Sequence, residues 1–114
     1  MKISLRVDEL NRLICTVEDG AAPVIVTASD PDAAAHLVAA IEDAASGGVG
    51  DCFWEEGGGE YRWMFRREGD KLRLVVLWCA GTILGWDTVL WRECDFEDFR
   101  RQVKTEAACL QPVG

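Results

Sequence analysis

The stretch between residues 52 and 92 constrains the fold more than any other part of this sequence. Four runs of mixed apolar and polar residues, each long enough for a β-strand, follow one another there: Cys52–Glu56, Glu60–Arg67, Leu72–Cys79 and about Ile83–Arg92. The first two links between them, Gly57-Gly58-Gly59 and Gly69-Asp70, suit tight hairpins. Because consecutive hairpins place neighbouring strands antiparallel, the stretch predicts a four-stranded meander.

The beginning of the chain predicts three further, shorter strands. Apolar and polar residues alternate over residues 2–7, and apolar side chains again share one side over residues 13–17. A β-branched run follows at residues 24–27. Such short runs, separated by Asp, Asn and Gly, are typical of strands joined by turns.

Two helices complete the set of predicted elements. Ser29-Asp30-Pro31-Asp32 is typical of a helix start, because Ser or Asp can cap the helix and Pro suits its first turn. This helix is expected to end near Ala45, before Gly47-Gly48. Asp95, with Asp98 three residues later, predicts the start of a last helix. The order β-β-(β)-α-β-β-β-β-α predicts a single α+β domain over residues 1–114, in which one antiparallel sheet has two helices packed on one face.

The register of the central hairpin predicts which sheet face is buried. Pairing Arg67 with Leu72 collects the most large apolar side chains on one side, and a slip of one residue would move them all to the other. The expected core face carries Tyr61, Trp63, Phe65, Leu72, Leu74, Val76, Trp78, Leu84, Trp86 and Leu90. The expected open face carries Arg62, Met64, Arg66, Arg73, Val75, Leu77, Cys79, Asp87, Val89 and Trp91. Trp54 joins the open face in one of the registers that the glycine turn allows.

The mixture on the open face predicts a binding surface. Arg and Trp are frequent in binding hot spots, and guanidinium groups bind carboxylates or stack on indole rings. The candidate binding residues are Arg62, Arg66, Arg73, Trp54, Trp91 and Asp87. The alternative is a solvated sheet face on which Asp87 neutralises Arg73. Since Arg66 pairs with Arg73 in this register, a carboxylate is expected close to them.

The charge of the chain is unevenly distributed. The net charge is −8; residues 1–57 carry 3 basic and 11 acidic groups, and residues 58–114 carry 9 of each. An acidic field repels nucleic acid, whose binding depends on neutralising phosphates. The same field speeds encounter with a basic partner, although it also serves plain solubility.

Residues typical of catalysis or metal binding are scarce in this sequence. The five cysteines, Cys15, Cys52, Cys79, Cys94 and Cys109, are widely spaced, and the single histidine is His36. This spacing predicts reduced, buried thiols and no metal site. We find no phosphate-binding, dinucleotide-binding or hydrolase motif, so no cofactor is expected.

Two constellations of reactive residues are weak alternatives to this reading. One is a Cys52–His36 nucleophile, or a His36 base oriented by Asp32. The other is the group of Glu55, Glu56 and Glu60 beside the glycine turn, where a solvated hairpin tip is the simpler interpretation.

The sequence favours a non-catalytic binding protein that uses the open face to bind a protein partner or a second copy of itself. The alternative is a small enzyme or ligand-binding protein with an aromatic-lined pocket between helices and sheet. No apolar run approaches the roughly 20 residues of a membrane span, and residues 1–7 lack the pattern of an export signal. We therefore expect a cytoplasmic protein that binds neither nucleic acid nor membrane.

Overall fold

The strands and helices follow one another in the order that the sequence predicts. The computed structural model describes residues 1–81 and 85–110. Its elements are β1 (Lys2–Val7), β2 (Leu13–Glu18), β3 (Val24–Ala28), α1 (Ala33–Gly47), β4 (Val49–Glu56), β5 (Gly59–Glu68), β6 (Lys71–Cys79), β7 (Asp87–Asp95) and α2 (Phe96–Ala108). All strand pairs are antiparallel, so the α+β class is confirmed.

The strands form two sheets, whereas the sequence predicted one. The smaller sheet has the order β1-β2-β3 and the larger has the order β4-β5-β6-β7. In the described part of the chain, one backbone hydrogen bond joins them, from the N–H of Ser29 to the carbonyl of Glu55 at 2.8 Å. The physical reason is that β3 has five residues and the chain then turns into α1, so β3 meets β4 only where both strands end.

Each helix buries one apolar face. Helix α1 packs on β4 and β5, and α2 packs on β1 and β7 as well as on α1. The fully buried side chains of α2 are Phe96, Phe99 and Val103. The carboxylate of Asp95 accepts a hydrogen bond from the N–H of Asp98 at 2.8 Å, which confirms the predicted cap.

Helix α2 also covers the free edge of β1. The Gln102 Oε1 accepts from the N–H of Ile3 at 2.9 Å, and the Glu106 Oε1 accepts from the N–H of Leu5 at 3.0 Å. An unpaired strand edge is a template for association with other chains. These two side chains therefore remove one edge of the smaller sheet as a docking site.

An ion pair between Arg100 and Glu42 joins the two helices. Arg100 donates two hydrogen bonds to the carboxylate of Glu42, at 2.9 and 2.8 Å. Lys104 lies 3.3 Å from the same carboxylate. The side-chain hydrogen bond from Arg100 is the main reason that the pKa of Glu42 lies below its usual range.

The closest approach between helix and sheet is at Gly50 of β4. A Cβ added there would overlap the carbonyl oxygen of Ala40. Small residues on both elements let α1 lie directly on the sheet, as its many alanines predict.

We expect Gly50→Ala to lower the free energy of unfolding by at least about 2 kcal/mol, because either the helix or the strand must move. Urea denaturation measures this value. The matched control is Gly58→Ala, since an added Cβ there has no neighbour within 4 Å and the change should stay within about 0.5 kcal/mol. Equal stability of the two variants would contradict the described packing.

Candidate functional site

The larger sheet has the core face that the sequence predicts at its centre. Arg67 pairs with Leu72, as expected. The fully buried residues of this face in β5 and β6 are Trp63, Phe65, Leu72, Leu74 and Val76. The rings of Tyr61 and Trp78 are tilted by 48° with their centroids 4.6 Å apart, and both side chains are half-buried.

Trp54 belongs to the core, so its predicted place on the open face is wrong. The turn is formed by Gly57 and Gly58, and Trp54 consequently pairs with Tyr61. Gly57 has a φ of 59°, which two-residue hairpin turns need at their first position. The Trp54 side chain is 0% exposed and its ring lies 5.0 Å from that of Trp63. Its chain neighbour Phe53 lies on the open face in its place.

A bulge changes the predicted register of the last strand. The pairing of β6 with β7 shifts between Val76 and Leu77, so that Leu77 pairs with Thr88 and Trp78 with Asp87. A bulge adds one residue to one strand and reverses which side chains face the core. Asp87 therefore lies beside Trp78 and does not neutralise Arg73 as expected.

Four further predictions concern side chains of residues 86–91. Val89 packs against the core instead of lying on the open face. Trp86 was predicted to be buried, but it is 40% exposed and its ring lies 6.3 Å from Phe53. Leu90 is buried and Trp91 is 51% exposed, both as predicted. Leu84 lies outside the described residues.

The open face has an apolar centre with charged residues around it. We use the name open face for the following residues of the larger sheet: Val49, Asp51, Phe53, Arg62, Met64, Arg66, Arg73, Val75, Leu77, Thr88, Trp91 and Glu93. Seven large hydrophobic side chains are exposed among the described residues, and five of them lie on or beside this face: Val49, Phe53, Met64, Trp86 and Trp91. Such clustering is uncommon on a surface that only meets water.

The three predicted arginines lie on the open face, but each already has a carboxylate partner. Arg62 donates to Asp51 at 2.9 Å, and its guanidinium also lies 5.3 Å from the centre of the Phe53 ring. Arg73 donates to Glu93 at 3.3 Å.

Arg66 lies 3.4 Å from Glu68. Arg66 and Arg73 are direct cross-strand neighbours, so the carboxylates of Glu68 and Glu93 offset the repulsion between them. The expectation that an internal carboxylate lies close to this arginine pair is confirmed, with Glu93 in the role assigned to Asp87.

A groove of about 820 Å³ lies on the open face and reaches around the edge of β4. Its floor includes Met64 and Val75, and its wall includes Gly47 at the end of α1. Its polar lining includes all three arginines. The alternative prediction placed a pocket between helices and sheet, whereas this groove runs from the open face around the edge of β4 to the end of α1.

The end of the larger sheet near the β4–β5 turn carries acidic residues. Asp30, Asp32, Glu55 and Glu60 line a smaller groove of about 280 Å³ together with His36. Within residues 1–81 and 85–110, none of these four carboxylates forms an ion pair with Lys or Arg. We call these four residues the acidic end.

The arrangement does not support the nucleophile that Cys52 and His36 could have formed. Cys52 lies on the core face opposite Trp63. Burial, with the nearby Asp51 charge, raises the pKa of the Cys52 thiol to about 12. A thiol of this kind stays protonated near neutral pH and is a poor nucleophile. No ion pair joins His36 to Asp32 in the described part of the chain.

Metal ligands are not gathered in the residues that the structure describes. No group of three or more His, Cys, Asp or Glu side chains has a geometry suited to a metal ion there. The five cysteines are all free thiols; Cys15 and Cys52 are buried, Cys79 and Cys94 are half-buried, and Cys109 is exposed. The predicted burial of the cysteines is complete for two of the five.

Comparison with protein-family models, curated proteins and solved structures finds no match to this chain. Among the described residues, the helices are too short or too polar to cross a membrane.

The burial of the thiols predicts an order of chemical labelling. A thiol-reactive reagent at mildly alkaline pH should modify Cys109 first, since it is exposed. Cys15 and Cys52 should react only after unfolding, because burial raises the pKa of both thiols and also excludes the reagent. Peptide mass spectrometry of timed samples measures the order. Labelling of Cys52 before Cys109 in the native protein would contradict it.

Proposed function

We propose that this chain is a non-catalytic binding protein that docks a protein partner on the open face. The observation that carries the proposal is the cluster of exposed Phe53, Met64, Trp86 and Trp91. Interfaces are enriched in aromatic residues, Met and Arg, and the open face combines all three.

The geometry of the open face suits a partner with its own packed surface. Its centre is apolar, and its charged residues lie in pairs around that centre. Burying exposed apolar surface at an interface lowers the free energy by about 25 cal/mol per Å². Paired charges at a rim contribute less to affinity and more to orientation. Trp91 and Met64 are therefore expected to supply most of the binding free energy.

A second candidate function is supported by the groove of about 820 Å³. Its volume suits a small molecule, and Arg62, Arg66 and Arg73 would favour an anionic one. This candidate is weaker because each of these guanidinium groups is already paired with a carboxylate.

We place this activity in the cytoplasm, as the sequence analysis expects. All five cysteines are free, including the exposed Cys109. Such thiols persist in a reducing compartment.

We expect Trp91→Ala to weaken partner binding by about 30-fold, the effect of losing a hot spot of about 2 kcal/mol. The immobilised protein is used to capture a partner from extracts of the producing cells. The partner is identified and purified, and its affinity is then measured by calorimetry.

Ile25→Ala is the matched control for this experiment. Ile25 is 56% exposed on β3 of the smaller sheet, against 51% for Trp91, so both variants lose a surface side chain without opening the core. The control should bind within about twofold of the original chain. Equal affinities of the two variants, or capture profiles that do not differ, would contradict the proposal.

A further inference from the structure

We infer that the partner of the open face is a basic protein, whose Lys or Arg side chains meet the acidic end beside the apolar centre. This inference rests on the proposed function and specifies the chemistry of the partner. The inference is based on a comparison of the paired arginines of the open face with the carboxylates of the acidic end.

The positive charges of the open face are offset by carboxylates of the same chain, although the Nε of Arg62 has no hydrogen-bond partner among the described residues. Arg62, Arg66 and Arg73 have carboxylate partners at 2.9, 3.4 and 3.3 Å. Each pair leaves further N–H donors on the guanidinium, but its charge is already offset, so an added carboxylate gains less than it would at an unpaired arginine. The arginines therefore give little preference for an acidic partner.

The negative charges at the acidic end lack such partners. Glu55 and Glu60 are direct cross-strand neighbours, and two like charges in that position destabilise a sheet. In the described residues, neither carboxylate has a Lys or Arg within 4 Å. Cations supplied by a partner would relieve this repulsion and gain two ion pairs.

The acidic end is continuous with the apolar centre. Glu55 follows Phe53 by two residues on the same side of β4, a spacing of about 7 Å along the strand. Phe53 also lines the groove of the acidic end, and its ring packs beside Trp86. A single partner can therefore cover the aromatic pair and reach the carboxylates at the same time.

A second copy of the chain fits this surface less well than a basic protein does. Each copy has a net charge of −8, so two copies repel each other at long range. The arginines on its open face are already offset by carboxylates, so they attract the acidic end less than unpaired cations would. A basic partner is attracted at long range instead, which raises the rate of encounter.

The test uses a random peptide library displayed on phage as the probe. The purified chain should enrich peptides that combine Lys or Arg with aromatic or aliphatic residues. The variant Glu55→Gln/Glu60→Gln should bind the enriched peptides about tenfold more weakly at low salt, through the loss of two ion pairs. This difference should shrink at high salt, where the charges are screened.

The control variant is Glu9→Gln/Glu18→Gln, which changes the net charge equally. Both residues are exposed and lie at the smaller sheet. This control should retain binding within about twofold. Enrichment of neutral or acidic peptides, or an equal loss in both variants, would overturn the inference.

A separate variant, Met64→Glu, distinguishes failure of this inference from failure of the proposed function. Peptides that lose binding to Met64→Glu but are not basic would overturn the inference and leave docking on the open face intact. No enrichment, or enrichment that Met64→Glu does not affect, would overturn both. A dimer in sedimentation equilibrium that Met64→Glu dissociates would identify a second copy as the occupant and would also overturn the inference.

Discussion

The strand register of the larger sheet is the constraint on which the rest of this structure depends. The side chains of a strand alternate between two faces, so each pairing decides which aromatic residues are buried. The glycine turn places Trp54 opposite Tyr61 and leaves Phe53 in solvent. The pairing of Val76 with Leu90 and of Val75 with Trp91 places Leu90 in the core and Trp91 outward, and the bulge changes the sides of the β7 residues before Leu90. The same strand pairing therefore determines both the core and the candidate docking surface.

Much of this arrangement could be predicted from the sequence where apolar residues alternate strictly. The pairing of Arg67 with Leu72 follows from the side chains that it buries, and the start of α2 follows from Asp95. The places of Trp54, Asp87 and Trp86 could not be derived in this way. They depend on the length of a turn and on one bulge. Each of these shifts the strand register by one residue, which exchanges the buried and exposed side chains while the hydrophobic pattern of the sequence stays the same.

Contacts between distant parts of the chain were also beyond sequence reasoning. The cover of the β1 edge by Gln102 and Glu106 joins residues about a hundred positions apart. The pairing of Arg100 with Glu42 depends on how two helices cross. For the candidate site, the sequence indicated the arginines, Trp91 and a carboxylate near Arg66 and Arg73, but not which carboxylates pair with the arginines. With the arginines paired, the carboxylates without Lys or Arg partners on this side of the described chain are those of the acidic end.

The central claim is that the register separates buried from exposed tryptophans, and fluorine NMR tests it most directly. The chain is labelled with fluorotryptophan, its signals are assigned by single Trp→Phe variants, and a soluble paramagnetic agent is added. The account predicts strong broadening for Trp86 and Trp91, which are about half exposed, and none for Trp54 and Trp63, which are fully buried. Broadening of Trp54, or protection of Trp91 in a monomer, would contradict the register and with it the open face.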